Sequence, residues 1–271
     1  MIPTRFSAPV VACVLLFHVA NALAQPAELP VGTQSLPIAK GALVELFGGS
    51  GYMILKKAAG DQATITIAKA PLAADVRVMM VPQPEGVTIC TVYPSKDPKK
   101  PHDCLPGGQA RMFQGKAKSL PDVGITLALP AGVAVRASLA AGDVKADGVE
   151  GDLDLYAGDG DITVIDRRTA NAKAQVGMGG NISYRIVGEG RLGRVVDLHT
   201  PLSGQVVVTV PPRVPVFYSI LTQGVPVLDK SFGIDPVKGP RIGHIGSGAT
   251  EVRLTVNTGI AGRFVLRPPP R

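Results

Sequence analysis

The chain has 271 residues, of which 32 are Gly and 24 are Pro, about one in five together, against an average of roughly 12%. Aromatic residues make up 4% and Trp is absent, while the formal net charge is +7 and the mean hydropathy is +0.23. This composition excludes a helix bundle, whose interior does not tolerate so much Gly and Pro. It also excludes a disordered chain, because 45% of residues are apolar and 18% charged, and collagen, because Gly does not recur at every third position. A loop-punctuated β protein with a core of small aliphatic side chains remains.

Residues 1–24 read as an export signal. Arg5 supplies the positive start, residues 8–20 are apolar apart from His18, and Ala22-Leu23-Ala24 gives the small-x-small cleavage pattern before Gln25. The apolar run is shorter than the roughly 20 residues a membrane span needs, and Asn21 breaks it. Cys13 lies too early in that run for a lipoprotein site. Cleavage after Ala24 predicts a periplasmic, extracellular or surface protein with a net charge of +6 over residues 25–271. Further along, Ala63, Ile65 and Ile67 alternate with Thr64 and Thr66, the period of a half-buried strand.

Export leaves two cysteines, Cys90 and Cys104, and an even pair in an exported chain reads as a disulfide closing the basic, Pro-rich loop between them. A metal or redox site, with His102 beside Cys104, is the alternative, but neither a second Cys-x-x-Cys nor a nearby second His supports it. Residues 105–119 look loop-like. Residues 25–122 are therefore expected to form an irregular, disulfide-containing N-terminal β segment that caps the remainder of the chain.

From residue 123 onward the chain repeats. Gly142-Asp143, Gly151-Asp152 and Gly160-Asp161 start nine residues apart, Gly180-Asn181 comes twenty residues later, and Gly204-Gln205 twenty-four after that. Each pair precedes an alternating apolar-polar run such as Ile162-Thr163-Val164. Each unit thus reads as a corner and a short strand, with Gly supplying the turn and Asp or Asn bonding its own backbone there. Two units make one turn of a stacked coil. The prediction is a β-solenoid or β-helix over residues 123–271, its narrow interior filled by residues such as Ala146, Ala172 and Ala174. An antiparallel β-sandwich, whose turns also recur every 8–12 residues, is the alternative. Regularity is expected to lapse over residues 185–198 and 211–240, beginning at Pro211-Pro212.

Leu129-Pro130-Ala131-Gly132, followed by the corners at Gly142, Gly160 and Gly180, resembles the bacterial putative-adhesin domain of unknown function. Residues 246–267 are similar to that family's closing strands, and the resemblance spans about residues 41–266. It implies a right-handed β-solenoid, export to the bacterial cell envelope or surface, and no catalytic residues or cofactor.

Motifs that would carry chemistry are incomplete. Gly188-Glu189-Gly190-Arg191-Leu192-Gly193 fits the dinucleotide pattern, but Pro201 leaves no room for the helix that chemistry requires. Asp159 and Asp161 do not follow the calcium-binding β-roll repeat, although an isolated site at the two is an alternative. His102, His199 and His244 have no zinc spacing, and Tyr52 breaks a nucleophile elbow at Ser50. A polysaccharide-active enzyme would need paired carboxylates, for which Asp154 and Asp166 on neighbouring coils are the candidates.

Lys96, Lys99 and Lys100, and Arg167, Arg168, Arg185, Arg191 and Arg194, crowd two parts of the chain; they read as ordinary solubility charge, with a polyanion-binding surface as the alternative. Scarce aromatics disfavour specific nucleic-acid binding and an outer-membrane barrel. The expected protein is a non-enzymatic envelope or surface protein without metal or cofactor, binding a polysaccharide or another surface protein through a lateral β face.

Overall fold

The computed structural model describes residues 25–95, 102–107, 119–187, 193–224, 226–232, 241–246, 252–259 and 261–270. The signal segment, the basic residues Lys96, Lys99, Lys100 and Arg191, and most of the loop at 105–119 lie outside them, as does the part of the Pro-rich stretch at 233–240.

Strand is the dominant element among the described residues, with almost no helix. The N-terminal part supplies β1 (Ala27–Glu28), β2 (Gly32–Leu36), β3 (Leu43–Lys57), β4 (Ala63–Lys69), β5 (Arg77–Gln83), β6 (Gly86–Val92) and β7 (Val123–Leu129). The middle supplies β8 (Ala134–Asp147), β9 (Leu153–Ala157), β10 (Ile162–Asp166), β11 (Ala172–Val176), β12 (Ile182–Ile186), β13 (Arg194–Thr200) and β14 (Ser203–Thr209). The C-terminal part adds β15 (Val216–Thr222), β16 (Val227–Leu228), β17 (Ile242–Ile245), β18 (Val252–Thr258) and β19 (Ala261–Arg267). All belong to one mixed sheet.

Two parallel ladders make up most of that sheet. In the first, β6, the N-terminal half of β3, the N-terminal half of β8, β9, β11, β13, β18 and β15 lie side by side. In the second, β7, the C-terminal half of β3, the C-terminal half of β8, β10, β12, β14, β19 and β16 do the same. The chain alternates between them, so β9–β10, β11–β12 and β13–β14 are successive rungs. Each crosses the same corner.

Alternation along each strand turns one face of each ladder into a common core. Val144, Ile162, Ile182, Val206 and Phe264 stack in register in the second ladder, and Leu153, Ala172, Val196, Leu254 and Tyr218 in the first. All are buried in one apolar cluster. The inward positions are not uniformly small, as the composition suggested. Tyr184, Tyr218 and Phe264 are among the largest fully buried side chains.

The corners explain the glycine repeat. A Cβ on Gly142 would collide with the carbonyl of Gly51. One on Gly160 would meet that of Gly142, one on Gly180 that of Gly160, and one on Gly204 that of Gly180. At the other side of the rung, a Cβ on Gly151 would strike the Val133 carbonyl. The nine-residue spacing is thus half a rung, and alternate repeats stand at opposite corners.

The sequence suggested that the acidic and amide residues beside these glycines bond their own turn; they bond the next rung instead. Asp143 Oδ1 accepts the Asp161 N–H (2.9 Å), Asp161 Oδ1 accepts the N–H (2.8 Å) and Nδ2 (3.1 Å) of Asn181, and Asn181 Oδ1 accepts the Gln205 N–H (2.9 Å). Asp152 Oδ1 accepts the Asn171 N–H and Asn171 Oδ1 the Val195 N–H, both at 3.0 Å, at the opposite corner. All but the Asn181 Nδ2 bond satisfy a backbone N–H at a corner.

Both ends of the stack depart from chain order. β3 lies between the pair β6 and β7 and the later strand β8, so the chain lays down the second rung before the first. At the other end, β18–β19 is inserted between β13–β14 and the earlier β15–β16. Antiparallel pairs are confined to these ends: β2–β4 and β4–β7, β1–β5 and β5–β6, and β15–β17. An antiparallel sandwich therefore does not describe the molecule.

The N-terminal part is also less irregular than its sequence suggests. β3 is one 15-residue strand through Gly48-Gly49-Ser50-Gly51. Those glycines admit neighbours rather than a turn: a Cβ on Gly48 would press on Met53 and Leu139, and one on Gly49 on Tyr93 and Leu120.

Gly142 also has φ of 120°. Gly142→Ala is therefore expected to destabilise the protein by about 3 kcal/mol or more. Gly60→Ala, where a Cβ would meet nothing within 4 Å, should change stability by less than about 0.5 kcal/mol. Urea denaturation followed by circular dichroism measures both.

Candidate functional site

Three arrangements hold the charged residues of the described structure: a buried ion pair at one corner, a covered carboxylate beneath the disulfide, and the outer faces of the ladders.

Asp166 ends β10 and shares parity with Ile162 and Val164, so it points inward and is fully buried. Its Oδ1 accepts the Thr169 N–H (3.0 Å), and its Oδ2 accepts the Tyr184 hydroxyl (2.7 Å) and lies 2.7 Å from Arg194 Nη1. Arg194, on β13, is 3% exposed. The cluster joins three consecutive rungs. Burial, then the Asp166 carboxylate, push the Tyr184 phenol well above its ordinary 10.0, so it remains a donor.

Two expectations are corrected here. Asp154 faces outward while Asp166 faces the core, so they form no catalytic pair. Arg194 does not contribute to a basic surface. The parity it shares with Val196 and Leu198 is the sequence signal that would have revealed this. Its Nε and Nη2 have no hydrogen-bond partner among the described residues.

The disulfide Cys90–Cys104 forms, which leaves no thiolate at Cys104 for a metal. His102 Nδ1 lies 3.0 Å from the Tyr93 carbonyl, and no group of three or more His, Cys, Asp or Glu among the described residues forms a metal set. Residues 102–107 lie over the outside of the first ladder, where Phe47, Cys90 and Val92 form a second small apolar cluster with Met79 and Cys104 against it.

Beside this cluster is Glu45, an outward residue only 2% exposed. Its carboxylate accepts hydrogen bonds from Gly107 N–H (2.8 Å), Thr88 Oγ1 (2.9 Å), Gln83 Nε2 (3.1 Å) and Arg136 Nη1 (2.8 Å). Burial alone would raise its pKa. The donors, led by Gly107, outweigh burial and hold it below the ordinary 4.5. Sequence reading missed Glu45, because its partners come from three separated segments, the β5–β6 hairpin, the disulfide-bound loop and β8.

On the outer face of the first ladder, Glu45, Arg136, Asp154, Lys173 and Asp197 occupy one row across five strands. Its signs alternate. A parallel row holds Ser138, Tyr156, Gln175, His199 and Asn257. On the second ladder, the outer rows carry Lys145, Thr163 and Ser183, and Asp147, Ile165, Arg185, Thr209 and Arg267. Arg167 pairs with Asp147 (3.4 Å) and Lys57 with Glu150 (2.6 Å).

No family model and no curated protein matches the chain. Among solved structures, a putative cell adhesion protein from Clostridium sporogenes ATCC 15579 is similar over 90% of this chain and 100% of its own, at 11% identity and a TM-score of 0.48. A putative adhesin from Bacteroides fragilis NCTC 9343 covers 91% of this chain and 98% of its own, at 11% identity and a TM-score of 0.36. A putative lipid binding protein from Parabacteroides distasonis ATCC 8503 has the same coverages, at 13% identity and a TM-score of 0.26.

Arg194→Met, which leaves Asp166 buried without its cation, should cost about 3–5 kcal/mol. Adding Asp166→Asn is expected to recover more than half, which a double-mutant cycle in urea tests. The depressed Glu45 pKa stabilises the fold fully above the ordinary carboxylate range, and this contribution is lost as pH falls through the lower folded-state value. Glu45→Gln should therefore reduce neutral stability and flatten the acid limb of the stability–pH profile, measured by thermal melts across pH.

Proposed function

We propose that the protein is exported through residues 1–24 and acts at the bacterial envelope or surface as a non-enzymatic binding or scaffolding protein of the adhesin type. In this reading the contact is a lateral face of the stack, and residues 25–122 serve as the cap on the repeats of 123–271. The observation that carries it is the in-register outer rows of the two ladders. They present the same side-chain positions at each strand spacing, about 4.8 Å apart, over a length that suits an extended partner.

The only carboxylate pair suggested by the repeats is divided between the core and the outside, which favours binding over hydrolysis. No helix among the described residues is long and apolar enough to cross a membrane. The coil itself we take as a right-handed solenoid, since β9 returns to its neighbour β11 through β10 and such parallel crossovers are right-handed in nearly every known case.

The test is a panel of neutral and acidic envelope polysaccharides offered to the purified protein, with bound fraction and released reducing ends both measured. Binding without release is the expected result. Release that co-purifies with the protein and persists in stoichiometric tests would replace this reading with an enzymatic one.

A further inference from the structure

The two outer faces differ in charge, and the difference points to one of them. On the first ladder the row Arg136, Asp154, Lys173, Asp197 alternates in sign and is close to neutral. On the second, the three strands β12, β14 and β19 present Arg185, Arg263 and Arg267 outward, with Ser183, Gln205 and the half-buried Val207 and Val265 at neighbouring outward positions and no carboxylate among them. All three arginines are exposed. None takes part in an ion pair among the described residues. The nearest acid, Asp229, follows β16 and stands beside Arg267, its N–H donating to the Leu266 carbonyl (3.0 Å) and its Oδ1 accepting the Ser231 N–H (2.9 Å) rather than pairing with the arginine; Asp143 and Asp161, in the row of Arg263, stand on earlier rungs, where each accepts a backbone N–H.

Register sets the spacing. Arg185 and Arg267 share a row with Thr209 between them, about 10 Å apart over two strand spacings, and Arg263 lies about 13 Å from Arg267 along β19. One small anion does not engage all three. A chain with an anionic group at intervals does, and an exposed guanidinium fork suits carboxylate. The exposed Ser183 hydroxyl and the half-buried Gln205 amide beside the arginines can exchange hydrogen bonds with sugar hydroxyls. The apolar outward side chains of β12, β14 and β19 are Val207, Val265 and Ala261, with no aromatic or Leu, so the face has neither stacking platforms for nucleobases nor the large anchors of a lipid-inserting surface.

We propose that the outer face of the second ladder, at Arg185, Arg263 and Arg267, binds a linear acidic polysaccharide. This rests on the lateral-face reading above and assigns its face and ligand class.

The experiment titrates the purified protein with polygalacturonate, with its methyl-esterified neutral form, with duplex DNA and with phosphatidylglycerol vesicles, at low and raised salt. The expected result is binding to polygalacturonate over the other three, weakening steeply with salt. The variant R185Q/R263Q/R267Q should lose about tenfold or more in affinity and show a shallower salt dependence. R185K/R263K/R267K should retain most of it, and K173Q/R253Q, on the first ladder, should change it less than twofold. Circular dichroism checks that each variant folds.

Equal losses in R185Q/R263Q/R267Q and K173Q/R253Q would reduce the effect to net charge and overturn the proposal. So would tighter binding to DNA or vesicles, or indifference to polygalacturonate. Binding of neutral polysaccharides with no response to polygalacturonate would remove this proposal alone and leave the lateral-face reading in place.

Discussion

At each corner of the stack the backbone of one rung lies against the carbonyl of the rung before it, with no room for a side chain between them. Gly51, Gly142, Gly160, Gly180 and Gly204 line one such column. This contact holds the strands of successive rungs in a single register. A slip by one residue would carry a Cβ into a carbonyl and turn every inward side chain outward. The other regularities depend on it: the Asp and Asn column that bonds rung to rung, the stacked apolar positions of the core, and the straight outer rows.

A stack of this kind has two weaknesses, its open ends and its returning corners. The ends expose strand edges. Here they are closed by antiparallel strands and by an altered order of rungs, in which β3 and β18–β19 are enclosed by segments that lie later or earlier in the chain. The returning corner after β10 is held differently. Asp166, Tyr184 and Arg194 come from three rungs and meet inside the core, where the desolvation of two charges is offset only while all the partners are present. The cluster favours one relative placement of those rungs over alternatives.

Regular stacking also gives the outer faces their character. The first ladder alternates positive and negative residues along a row, so neighbouring charges compensate each other, and at its N-terminal end the disulfide-bound segment covers Glu45. The second ladder is uncompensated where β12, β14 and β19 adjoin. Among the described residues, Arg185, Arg263 and Arg267 thus stand together without ion-pair partners, where an extended acidic partner would meet them.

Strand alternation, the glycine corners and the Cys90–Cys104 pairing were all legible in the sequence, because they depend on local periodicity and on a count of two cysteines. The inward direction of Asp166 and Arg194 was legible too, from strand parity, although charge argued for the surface. Gly48 and Gly49 were not legible as close approaches, since glycine marks a turn and a close approach with the same letter. Other features depended on segments distant in the chain: the inserted rungs, the donors gathered around Glu45, and the meeting of Arg185 with Arg263 and Arg267 on one face. That a strand-and-corner unit repeats can be read from the residues alone, because a corner is a local steric requirement. Only the tertiary structure decided which rungs are neighbours and which charges share a face, because strand pairing is set by contacts between residues far apart in the chain.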